Sequence, residues 1–125
     1  MKRSFKDSQE HKNLIWMMVE YFTNQGLENI KADIPGMRIP DTIFGSLQNH
    51  KPDLTADFNG TSIIVEAETS SSIFDNHTSS QWMLFSEFAE EIKGEFHLVV
   101  PKGWRNVAIH RADSINVNIA TIWTP

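Results

Sequence analysis

The chain of 125 residues contains no cysteine, which excludes a disulfide framework, a thiolate zinc site and every thiol-based catalytic scheme. That absence suits a reducing cytoplasm, the compartment the sequence predicts. No apolar stretch approaches the roughly 20 residues that a membrane span needs. The basic start Met1-Lys2-Arg3 is followed by no apolar h-region, so neither a membrane helix nor a secretory leader is expected. Glycine and proline are sparse, at six and five, and no repeat or low-complexity tract occurs, which excludes collagen-like and linker-like chains. Positive charge is also short: eleven Lys and Arg against sixteen Asp and Glu leave a net charge of −5. A passive nucleic-acid coat protein, whose affinity is mostly phosphate neutralisation, is therefore disfavoured. An enzyme that gathers carboxylates around a cation is not. With 40% apolar and 22% charged residues the composition is that of an ordinary globular domain, and the length predicts one domain over residues 1–125.

Periodicity and turn chemistry divide the chain into elements. Residues 8–24 read as a helix with Leu14, Ile15, Met18, Tyr21 and Phe22 on one face, capped by Asp7 or Ser8 and ended by Gly26. A short strand is expected over 27–32, and an irregular loop over 34–51, punctuated by Pro35-Gly36, Pro40-Asp41 and Gly45. Two β-rich runs, 54–58 and 61–65, flank Asn59-Gly60, a pair suited to the type I′ turn because both central residues need φ > 0. A second helix is expected over 75–93. Its start is placed at Thr78, since Thr78-Ser79-Ser80-Gln81 matches a capping box, and Trp82, Phe85, Phe88, Ala89 and Ile92 form its apolar stripe. A strand over 96–100, a helix over 104–111 and a final strand over 115–123 complete the order α-β-β-β-α-β-α-β. This is an α/β pattern: a mixed sheet flanked by helices.

The hairpin register locates the chemistry. A two-residue turn at 59 and 60 places Asp53 opposite Glu66, and Glu68 and Asp57 share their face, whereas Leu54, Ala56, Phe58, Ile63, Val65 and Ala67 point the other way. Carboxylates opposed across a sheet repel, and a bound divalent cation relieves that conflict. Oxygen ligands of this kind suit Mg²⁺ or Mn²⁺. The competing reading is a solvated outer face, which is commonly polar in a half-exposed sheet; Ile64 between the acids argues that this face is covered.

At these residues the chain resembles the PD-(D/E)XK nuclease superfamily, the restriction-endonuclease-like fold. Pro52-Asp53, twelve intervening residues, then Glu66-Ala67-Glu68 is similar to that family's motif, and the element order resembles its αβββαβ core over about residues 8–100. The resemblance implies that Asp53 and Glu66 bind metal, with the backbone carbonyl of Ala67 as a further ligand. The third motif position, usually Lys, is Glu68, which removes the cation that would face the scissile phosphate and leaves either a second metal ion at Glu68 or no catalysis. Supporting candidates are Gln81 on the second helix, Glu10 at the edge of the first helix's apolar face and Lys51 before the strand. His11, His50, His77, His97 and His110 lack the spacing of a zinc site. Lys102, Arg105, His110 and Arg111 read as solvated surface or as a contact for a phosphate backbone.

The function expected is metal-dependent hydrolysis of DNA phosphodiester bonds at Asp53, Glu66 and Glu68, with a homodimer or partner subunit supplying any sequence specificity. The alternative is a catalytically inactive nuclease-fold domain acting as a binding or interaction module. A hydrolase of small nucleotides is a third, which needs less basic surface.

Overall fold

The computed structural model describes residues 3–125. The chain forms α1 (Phe5–Asn24), β1 (Glu28–Ala32), β2 (Ile43–Phe44), β3 (Asn49–His50), β4 (Leu54–Phe58), β5 (Thr61–Ala67), α2 (Asn76–Glu91), β6 (Glu95–Val99), α3 (Arg105–Ser114) and β7 (Thr121–Trp123). Five strands make one mixed sheet in the order β1-β4-β5-β6-β7. The β1-β4 and β4-β5 pairs are antiparallel, whereas β5-β6 and β6-β7 are parallel, each bridged by a helix. The α/β architecture expected from the sequence is thus present, with one addition. The loop over 34–51 contains a small ribbon, β2 paired with β3, whose Ile43 is buried in the core cluster beneath α2.

Two apolar layers enclose the sheet. On one side Leu14, Ile15, Met18 and Phe22 of α1 cover Leu54, Ala56, Ile63, Val65 and Ala67. On the other, Trp82, Phe85 and Ala89 of α2 and Ala108 and Ala112 of α3 pack on Ile64, Phe96, Leu98 and Ile122. A sheet covered on both faces explains why β6 is buried at Phe96, His97, Leu98 and Val99 without alternation. The β4-β5 turn is as read: Asn59 and Gly60 have φ of 50° and 84°, and the ladder pairs Phe58 with Thr61 through to Leu54 with Val65.

Several boundaries differ from the sequence reading, three of them for a clear local reason. Helix α1 begins at Phe5 with Ser4 as its cap, the Ser4 side chain accepting from the Asp7 backbone N–H. Its first residue, Phe5, is 88% exposed, and its first turn holds no buried apolar residue, so it adds nothing to the stripe by which the helix is traced. Helix α2 is capped by Asp75, which accepts from the His77 backbone N–H at 3.1 Å. Thr78 is inside that helix and gives its hydroxyl to the Ser72 carbonyl at 2.8 Å, so the capping box read there is not formed and Gln81 is released from it. The last strand is three residues, not nine. Asn116 takes φ of 55°, a left-handed conformation that Asn tolerates, and Val117 N–H returns to the Ala112 carbonyl at 3.0 Å, folding this stretch back under α3. Among the described residues no helix is long and apolar enough to cross a membrane.

Candidate metal centre

One step beyond the Leu54–Val65 pair, Asp53 is hydrogen-bonded across the strands to Glu66 and to the residue after it, Ala67. Asp53 N–H donates to Glu66 Oε1 at 2.8 Å, and Ala67 N–H donates to Asp53 Oδ2 at 2.9 Å. These bonds set both carboxylates at the end of β4 and β5, on the floor of a cleft of about 440 Å³. Its walls come from the start of α1, the loop after β5 and the first turns of α2, including His11, Ser71, Ser72, His77 and Gln81. The arrangement follows from topology: α1 covers one sheet face and α2 the other, so their N-terminal ends flank the strand ends.

Charge is costly here. Burial pushes the Glu66 carboxyl well above the usual carboxylate range, and the negative charges of Asp53 and Glu68 push the same way. Glu66 is 3% exposed, and no cationic side chain pairs with it among the described residues. His11 Nε2 lies 3.1 Å from Asp53 Oδ2, fixing the orientation of that carboxylate from α1.

Glu68 has the face predicted for it but a different environment. Its oxygens accept from Trp82 Nε1–H at 2.9 Å and from the Ser72 hydroxyl at 2.8 Å, and its side chain does not line the cleft. Burial raises its carboxyl to about 7 against the opposing effect of those two hydrogen bonds. The predicted grouping of Asp53, Glu66 and Glu68 is therefore divided: two acids face the cleft and the third anchors α2. Among the described residues no group of three or more His, Asp or Glu side chains is placed to hold a metal ion.

The supporting candidates separate in the same way. Gln81 lines the cleft. Glu10 does not; it lies along another groove with Leu14, Met17 and Lys102, because it is about 100° round the helix from His11. Lys51 pairs with Asp33 at 3.4 Å and is absent from the cleft walls. Arg111 places its guanidinium 5.9 Å from the Phe74 ring centre, and Lys102, Arg105 and His110 are likewise outside the cleft.

Sequence reasoning passed over His11, Arg3 and Asp7. His11 was traceable, since it stands at the head of the stripe His11, Leu14, Ile15, Met18, where a polar residue on a buried face calls for a partner. Asp7 accepts from the Ser71 hydroxyl and pairs with Arg3 at 2.7 Å. Burial raises its carboxyl, but the hydrogen bonds from Ser71, Thr69 and Arg3 outweigh this and hold it at about 2.

No protein-family description matches this chain, and no curated protein matches it. Among solved structures, the fold is similar to that of an FdxN element excision controlling factor protein from Anabaena variabilis, with a TM-score of 0.56 and 20% identity over 87% of this chain and 89% of the other. That likeness shows a shared small α/β fold.

Proposed function

We propose that this protein is a metal-dependent phosphodiesterase acting on DNA, with Asp53 and Glu66 as its metal-binding acids. The observation that carries this reading is the joined pair itself: two carboxylates locked to each other's strand at the floor of a cleft, one of them buried with no cation paired to it among the described residues. A fold that needed only packing would not place them together, because the charge of Asp53 adds to the cost of ionising the buried Glu66.

The donor set fits a hard divalent ion. Mg²⁺ is commonly held by one or two carboxylates, with water and substrate phosphate completing its shell, so a pair is sufficient where a full protein cage is absent. Asp53 and Glu66 would hold the ion, with the Ala67 carbonyl as the further ligand that the PD-(D/E)XK resemblance implies. When bound, such an ion offsets phosphate charge and makes water a better nucleophile near neutral pH. His11 holds the Asp53 carboxylate in place, and the Ala67 N–H fixes the same oxygen from the strand. Gln81 offers a neutral amide on the α2 wall that adds no charge beside the acids. Glu68 takes no part in this scheme except through the placing of α2.

The Anabaena protein's description as an excision controlling factor is in keeping with an action on DNA. The inactive-module reading keeps one specific observation in its favour: the position at which the motif usually carries Lys is filled by a buried acid turned away from the cleft.

Cation binding is checked by thermal unfolding. A ligand that binds only the folded state raises the midpoint, by an amount equivalent to about 2.7 kcal/mol at a hundred times Kd. Millimolar Mn²⁺ should raise the midpoint of the wild type and leave that of Asp53→Ala unmoved. Equal shifts in both proteins would place the ion elsewhere.

A further inference from the structure

Glu68, directly after β5, is an acid where the motif usually has a cation, yet the cleft has a guanidinium. Arg3 reaches its wall from just before the cap of α1. Its Nη1 donates to Asp7 Oδ2 at 2.7 Å and to Thr69 Oγ1 at 3.2 Å, and Thr69 directly follows Glu68. Ser71, two residues further on, gives its hydroxyl to the other oxygen of Asp7. The start of α1 and the loop after β5 are thus tied together at the mouth of the cleft holding Asp53 and Glu66.

An arginine presents five N–H donors in a planar fork, a shape suited to two oxygens of one phosphate. The bonds Arg3 makes among the described residues use Nη1 alone, and its side chain is 30% exposed, so part of the fork is open. The other basic groups on the walls are less suited: His11 is engaged with Asp53, and His77 stands at the start of α2. Lys51 is held by Asp33 outside the cleft.

Building on the phosphodiesterase reading, we propose that Arg3 is the phosphate-binding cation of this cleft, supplying from just before α1 the positive charge that the motif position after β5 lacks. Asp7 is then a positioning residue. It orients the guanidinium toward the cleft and, as an anion beside it, competes with the arriving phosphate.

That dual role makes the test directional. Binding of thymidine 5′-monophosphate is measured by calorimetry without divalent metal, so that the acids contribute no metal-mediated affinity. Arg3→Gln should weaken binding about tenfold, the scale of one or two charge-assisted hydrogen bonds. Arg3→Lys should keep part of it. Asp7→Asn should bind as well as wild type or better, because the competing charge is gone and the amide oxygen still accepts from the fork. A guanidinium that served only to join α1 to the loop would give another pattern: Arg3→Gln and Asp7→Asn remove the same ion pair and would lose stability and binding in parallel. That pattern, or unchanged binding in Arg3→Gln, overturns the proposal. Metal-dependent DNA cleavage separates it from the broader reading. Wild-type cleavage with Arg3→Gln equal in KM and kcat overturns the role of Arg3 alone. No cleavage by wild type, with mononucleotide binding still lost in Arg3→Gln, supports the phosphate site and overturns the hydrolase reading.

Discussion

Glu68→Ala should destabilise the fold by about 3–4 kcal/mol, the sum expected for a cavity at a fully buried site and two donors left without acceptors. The Trp82 indole N–H and the Ser72 hydroxyl both give their hydrogen bonds to this carboxyl, and Trp82 is fully buried at the centre of the layer beneath α2. For a domain whose net stability is on the order of 5–15 kcal/mol, this is a large fraction. Glu68→Gln should be mild by comparison, since its oxygen can accept from Trp82 while its amide donates to Ser72. The pH dependence has a definite sign. With the carboxyl raised from 4.5 to about 7, the folded state binds more protons than the unfolded chain between those values. The associated stability is fully present below pH 4.5 and is lost as pH rises toward 7. Glu68→Gln removes that part of the slope. Urea unfolding followed by tryptophan fluorescence at several pH values checks both statements. A Glu68→Ala protein as stable as wild type would show that the Trp82 and Ser72 contacts do not support α2.

Glu66→Gln should have the opposite effect on stability in the absence of metal. The amide keeps the acceptor used by the Asp53 N–H and removes a buried charge facing Asp53 and Glu68. At pH 8 a gain of about 1–2 kcal/mol is expected, the usual size for relieving an unfavourable site. The wild-type carboxyl is raised well above its ordinary 4.5, so its contribution is largest at acid pH and is lost as pH rises; the gain from Gln should shrink toward pH 4.5. The same substitution should abolish stabilisation by Mn²⁺, because the ion loses one of two charged ligands. A functional site that weakens its own fold is the pattern predicted here. A Glu66→Gln protein less stable than wild type at pH 8 without metal would show that the acid is held ionised by favourable contacts.

Much of this arrangement was legible from short-range signals. Asn59-Gly60 set the β4-β5 register, and the register alone placed Asp53 beside Glu66, because side chains in a strand alternate with a period of two. Helical stripes identified which faces of α1 and α2 are buried. What was not legible depended on contacts distant in sequence. Glu68 reads as one more acid on the site face until Trp82, fourteen residues away, is seen to claim it. The start of α1 and the cap of α2 were misplaced because hydrophobic periodicity reports only the buried turns of a helix, whereas Ser4 and Asp75 act through backbone N–H groups. Glu10 and His11 are neighbours in sequence but lie about 100° apart round the helix, and only the contact of His11 Nε2 with Asp53 Oδ2 shows which of them reaches the site.

The most direct measurement is hydrolysis of linear, circular and branched DNA by the purified protein in Mg²⁺ and in Mn²⁺, beside Asp53→Ala and Glu68→Gln. The account predicts metal-dependent cleavage by the wild type, a loss of about a thousandfold or more in Asp53→Ala, in line with removing a group on which the chemical step depends, and retention of most activity in Glu68→Gln. Folded wild-type protein that cleaves none of these substrates in either metal, or Asp53→Ala cleaving as fast as wild type, would contradict it.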